Sequence, residues 1–104
     1  MSAAQAPDAP TTLRPTTDGF ELVGPVTIST AAQIVESARA AWPDAGESIV
    51  DFAGVTEADS AALALIFKWQ RDAAKRGRTV RCINIPGNIH ALAKLYGVDT
   101  LLAA

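Results

Sequence analysis

The chain has 104 residues, 49% of them hydrophobic and 19% charged, with a formal net charge of −2 at pH 7. That length holds one compact domain whose core needs no disulfide or metal, and it is too short for two. The slightly acidic balance, with a pI near 5.2, argues against nucleic acid as a partner, because phosphate backbones are bound by basic stripes.

Residues Ser2 to Pro10 combine Ala, Gln, Asp and two prolines without periodicity. Residues 1–12 are therefore expected to form a disordered tail and 13–104 a single domain. The start of the chain has neither a basic cluster nor a continuous apolar stretch, so no secretory signal is expected. No segment reaches the roughly 20 apolar residues of a membrane span.

Leu13 to Thr16 predicts a short strand, and Asp18-Gly19 a turn into a second strand over Phe20 to Ile28. Gly24-Pro25 interrupts that second run and implies an edge, a bulge or a break, since proline cannot donate to the ladder. Thr30 with Gln33 three residues later reads as a capping box. Val35, Ala38 and Trp42 then recur at helical spacing until Pro43 stops the helix. Ile49 to Ala53, between Asp44-Ala45-Gly46 and Gly54, has the form of a central strand covered on both faces.

Ser60 to Arg76 is helical in pattern. Ala62, Leu63, Ile66, Phe67, Gln70, Ala73 and Ala74 share one side, with Lys68, Arg71, Asp72 and Lys75 opposite. Leu65 and Trp69 fall on the border and, with Ala61, are expected to present apolar surface outward. Gly77 supplies the C-cap. Thr79 to Ile85 predicts another strand, and after Pro86-Gly87 a last helix carries Ile89, Leu92, Ala93 and Tyr96 on one face until Gly97. This order predicts an α/β layer structure with right-handed crossovers.

Ser60 stands where the strand run and an acidic turn, Thr56-Glu57-Ala58-Asp59, give way to a helix. The first N–H groups of a helix lack internal partners and its start is partly positive, so Ser60 can cap it, carry a phosphate or face a partner. Asp51 and Asp59 are expected to serve turns and caps, because acid–base chemistry also needs a pocket and a positioning group. Glu57 reads as a solvated turn residue. Lys68, Arg71, Lys75, Arg76, Arg78 and Arg81 read as a solvated basic face, with contact to anionic lipid headgroups as the lesser alternative.

His90 has no companion at metal-ligand spacing, so no metal is expected. The single Cys82 cannot form an internal disulfide and reads as a small buried hydrophobe, compatible with a reducing compartment. No Gly-x-x-x-x-Gly-Lys-Ser/Thr loop is present, so no cofactor is expected and any ATP hydrolysis belongs to a partner.

Two segments carry a resemblance, Ile49-Val50-Asp51-Phe52-Ala53-Gly54-Val55-Thr56-Glu57-Ala58-Asp59-Ser60 and Ala91-Leu92-Ala93-Lys94-Leu95-Tyr96-Gly97-Val98. With the order of elements, they make the chain resemble a STAS domain from Leu13 to Ala103, and the second segment resembles the closing helix of the MlaB-type branch. The resemblance implies a mixed sheet of about four to five strands with crossover helices. It also implies the role of a small cytoplasmic subunit, peripheral at the inner membrane, that performs no chemistry. Such a subunit binds the ATPase subunit of an ABC phospholipid transporter, in a complex with permease and lipid-binding subunits that maintains outer-membrane lipid asymmetry.

On that reading the partner-binding residues are Asp59, Ser60, Ala61, Ala64, Leu65 and Lys68. The other branch, the anti-sigma-factor antagonists, is switched by phosphorylation of the serine matching Ser60. This chain departs from it at Ala61-Ala62, whose methyl groups are expected to hinder a close approach to the hydroxyl.

Overall fold

The computed structural model describes residues 10–42 and 46–102. Its elements are β1 (Thr12–Pro15), β2 (Gly19–Val26), α1 (Ala31–Ala41), β3 (Glu47–Ala58), α2 (Ser60–Lys75), β4 (Thr79–Ile83), α3 (Gly87–Leu95) and α4 (Asp99–Leu102). Most of the expected tail, residues 1–9, lies outside the described residues, as does Pro43. At the tail's inner end Thr11 is buried and Thr12 opens β1.

The strands form one mixed sheet in the order β1-β2-β3-β4, with β1 antiparallel to β2 and the remaining pairs parallel. Because β2, β3 and β4 advance across the sheet in one direction, right-handed crossovers put α1 and α2 on the same face. The strands show the consequence. Ser48, Val50 and Phe52 of β3 are buried while Ile49 and Asp51 are partly exposed and Ala53 is exposed, and Val80 and Cys82 flank an exposed Arg81 on β4. The expectation of a central strand covered on both faces is therefore wrong, since one face of the sheet is open.

β3 also runs past Gly54, so the acidic turn read at Thr56-Glu57-Ala58 is strand. It carries one more residue than β2 at each of two register shifts, between Glu21 and Val23 and between Gly24 and Pro25. The second shift puts a bulge on β3 opposite Pro25, which stays within β2 rather than breaking it. Pro25, opposite the bulge, is anchored from outside the ladder, because its carbonyl accepts hydrogen bonds from the hydroxyls of both Thr11 and Thr30.

These contacts explain why the capping box does not form. Thr30 occupies the N-cap position of α1 in a helical conformation without a side-chain cap, and its Oγ1 accepts instead from Thr27 N at 3.0 Å. Gln33 turns away from the helix end. It pairs with the backbone of Thr11, accepting from its N–H at 2.9 Å and donating to its carbonyl at 3.1 Å.

Gly19 lies so close to β3 that a Cβ there would fall 2.0 Å from the Ile49 carbonyl oxygen, which restricts this turn to glycine. Gly77, with φ +70°, ends α2 as expected. Arg78 N donates to Ala73 O at 2.9 Å and Gly77 N to Ala74 O at 3.1 Å, the paired bonds of a Schellman motif. The same pairing closes α3, where Val98 N donates to Ala93 O at 2.8 Å and Gly97 N to Lys94 O at 3.1 Å.

The core lies between sheet and helices, built on Phe20, Leu22, Val26, Ile34, Val50, Phe52, Ile66 and Ile89. At one end Phe20, Trp42 and Trp69 meet, with ring centroids 5.3 to 6.0 Å apart, each pair adding about 0.5–1.5 kcal/mol beyond its buried area. α2 runs through the middle of the helical layer, packed against α1 on one flank and α3 on the other.

That placement moves the apolar side of α2 away from its expected position. Ala61, Leu65 and Trp69 are buried, with Leu65 only 5% exposed, while Ala74 is exposed and Phe67 partly so. Leu65 lies on the flank of Lys68, Trp69 and Asp72, which face α1 across a groove. On α3 the deviation is opposite, because Tyr96, expected on the inner face, is 59% exposed.

Leu65→Ala is expected to destabilise the domain by about 2–5 kcal/mol, the usual range for a cavity left by a core leucine. Ala64→Ser, on the exposed side, is expected to stay within about 0.5 kcal/mol. Urea unfolding of the two variants checks the orientation of α2.

Candidate partner-docking site

β3 delivers Asp59 to the start of α2 in an extended conformation, with φ −129° and ψ −166°. Its backbone joins both sides of the junction, donating from N to Val26 O at 3.3 Å and accepting at O from Ala62 N at 2.9 Å. The side chain joins two elements as well. Oδ1 accepts from Ala61 N at 2.8 Å and so caps α2, while Oδ2 accepts from Ile28 N, in the turn between β2 and α1, at 3.1 Å. Both carboxylate oxygens are thus bound to backbone donors, one of them at the positive end of a helix.

Because Asp59 is the cap, Ser60 is not. It is the first residue of the helix, exposed, and among the described residues nothing bonds to its hydroxyl. The next two side chains, Ala61 and Ala62, are 9% and 0% exposed. Their methyl groups point into the protein and leave the approach to Ser60 open, contrary to the hindrance expected from the sequence.

The surroundings of Ser60 are more apolar than the sequence suggested. A shallow open groove runs between the start of α2 and α3, lined by Ala58, Ser60, Ala91, Leu92, Leu95 and Tyr96. Asn88 of α3 fixes its floor by donating to the Ala58 carbonyl at 2.9 Å. Leu95 is 77% exposed and so is Ile28, on the turn bonded to Asp59. Sequence reasoning missed Ile28 by placing it at the end of β2, although Ser29-Thr30 after it is a turn signal.

Of the six residues assigned to partner binding, the structure puts Ser60, Ala64 and the partly exposed Lys68 on the solvent side of α2, and Asp59 at its cap. Ala61 and Leu65 belong to the interior, so the expected continuous outward patch does not exist in that form. Lys68 is engaged by Asp72 at 3.0 Å across one helical turn, and this hydrogen bond holds the Asp72 carboxyl below the usual carboxylate value. The basic cluster is divided, because Arg81 projects from the open face of the sheet while Lys68, Arg71 and Lys75 lie along α2.

The remaining chemical candidates have structural duties. Asp51 Oδ1 accepts from Ala53 N at 2.8 Å and from Asn84 Nδ2 at 2.9 Å, which ties β3 to the residue leaving β4. Cys82 is buried, and burial pushes its thiol up to about 12, so it carries no thiolate near neutral pH. His90 is exposed. Among the described residues no three His, Cys, Asp or Glu side chains form a metal-binding group, and no helix is long and apolar enough to cross a membrane.

Asp59→Ala is expected to cost at least about 1 kcal/mol, as for other lost caps. Ser60→Ala is expected to leave stability within about 0.5 kcal/mol of the parent. Thermal melts of the pair check which residue caps α2.

Comparison with curated proteins returned no match. The sequence profile of the MlaB-type STAS domain matches residues 11–103, from the buried Thr11 that anchors Pro25 to the end of the fold. That family is one of accessory and antagonist-type domains, generally without enzymatic activity. With its four-stranded mixed sheet, one-sided helical layer and Asp-Ser helix start, this chain belongs to the MlaB-type STAS domain family.

Proposed function

We propose that the chain is a non-enzymatic accessory subunit that docks onto the ATPase subunit of an ABC phospholipid transporter, at the cytoplasmic side of the inner membrane. On this reading it supports assembly and activity of a complex that maintains outer-membrane lipid asymmetry. The observation that carries the proposal is the Ser60 hydroxyl, exposed and unbonded because Asp59 has taken the cap. A serine released from local duty at the positive end of a helix can accept or donate across an interface.

The groove toward α3 adds apolar area beside that hydroxyl. Interface affinity comes from a few desolvated anchors, and Leu95 and Tyr96 are exposed side chains of that kind. Ala64, one turn along α2 from Ser60, lets a partner approach the helix closely. Ala61 and Leu65 contribute from below by holding α2 in place.

A second reading draws on the same hydroxyl. The inward methyl groups of Ala61 and Ala62 leave room for a kinase, so phosphorylation of Ser60 in an anti-sigma-factor antagonist remains a chemical option. The γ-phosphoryl group of ATP would pass to Oγ, with ADP leaving and the hydroxyl proton lost to solvent. A phosphate there would gain from the helix dipole and suffer from the Asp59 charge next to it.

Native co-purification separates the two readings. The wild-type chain is expected to retain an ABC ATPase from its own organism, and Ser60→Tyr, which places a ring over the helix start, is expected to lose it with an unchanged circular dichroism spectrum. Retention of the ATPase by Ser60→Tyr moves the docking site away from the start of α2, whereas recovery of a serine kinase in place of the ATPase contradicts the transport reading.

A further inference from the structure

The turn between β2 and α1 is pinned more tightly than its length requires. Thr27 N donates to Thr30 Oγ1 at 3.0 Å, and Thr30 N and Ala31 N both donate to Thr27 O, at 3.0 and 2.9 Å. Thr30 Oγ1 in turn donates to the Pro25 carbonyl at 2.9 Å. A further bond, from Ile28 N to Asp59 Oδ2 at 3.1 Å, ties the turn to the start of α2. All this rigidity presents an isoleucine to solvent, with 77% of its surface exposed.

We propose that Ile28 is an apolar anchor of the docking surface, and that Asp59 is the positioning residue that fixes it beside Ser60. The inference rests on the docking reading and adds to it the chemistry of the partner. A pre-ordered anchor binds without the entropic cost of being immobilised, which is how a single aliphatic side chain becomes significant in an interface.

Glu57, exposed and in register with Pro25, falls on the sheet face opposite Val26 and Ala58, so Ile28 itself specifies the contact. The complementary surface is that of a protein with an aliphatic socket for Ile28.

The chemistry of Asp59 allows its two bonds to be separated. Asparagine is as good a cap as aspartate, but it has one acceptor oxygen where aspartate has two. Asp59→Asn is therefore expected to keep the Ala61 amide protected from hydrogen exchange and to release that of Ile28. Affinity for the ATPase subunit of the same organism is expected to fall by about 10-fold with little change in melting temperature. Ile28→Ser, at an exposed position that does not affect folding, is expected to weaken binding at least as much.

Wild-type affinity in Ile28→Ser, or Ile28 amide protection unchanged in Asp59→Asn, overturns the inference. If Ser60→Tyr still abolishes binding in that case, the docking reading stands and only the role of Ile28 falls. If neither Ile28→Ser nor Ser60→Tyr alters binding, the role of Ile28 and the placement of docking at the start of α2 both fall.

Discussion

The Asp59 carboxylate sits where the central strand, the middle helix and the turn before α1 meet, and it hydrogen-bonds to the last two of these at once. A single side chain in that position caps α2, so Ser60 does not. It leaves the Ser60 hydroxyl without a capping role, and it ties the turn that carries the exposed Ile28 to the start of α2. The arrangement depends on β3 keeping its strand conformation through Ala58, past two register shifts. It depends equally on Pro25, whose carbonyl the Thr11 and Thr30 hydroxyls hold from two directions.

The one-sided sheet follows from topology and sets the functional geometry. Strands added in one direction by right-handed crossovers collect their helices on one face, and α2 becomes the middle element of that layer. A helix flanked by two others has a narrow solvent stripe, here Ser60, Ala64, Arg71 and Lys75, bordered by the partly exposed Phe67 and Lys68. The proposed partner contact through α2 lies at its start, where the stripe meets the groove toward α3. The C-terminal half of the stripe is basic, and its cations compensate the negative end of the helix.

Much of this was legible in the sequence. The strand and helix order up to α3, the hairpin at Asp18-Gly19, the Gly77 and Gly97 terminations and the burial of Cys82 follow from turn chemistry and periodicity, which are local, whereas the short α4 beyond Gly97 was not foreseen. The errors arose where a tertiary partner outbid a local one. Gln33 has the spacing of a capping box, yet Thr11, distant in sequence, claims its amide. Asp59 and Ser60 are both strong caps by residue type, and only the chain direction set by β3, with the Ile28 amide opposite, favours the aspartate. Leu65 lies on the border of the apolar stripe by angle, and α1 on that flank decides that it is buried.

The most direct test of the account is amide hydrogen exchange on the wild-type chain, alone and in complex with the ABC ATPase of its own organism. The account predicts added protection over residues 27–29 and 60–64 and over the exposed side of α3, with the open face of the sheet unchanged. Protection confined to the open face around Ile49, Ala53 and Arg81, with Ile28 and the start of α2 exchanging as in the free chain, would contradict it.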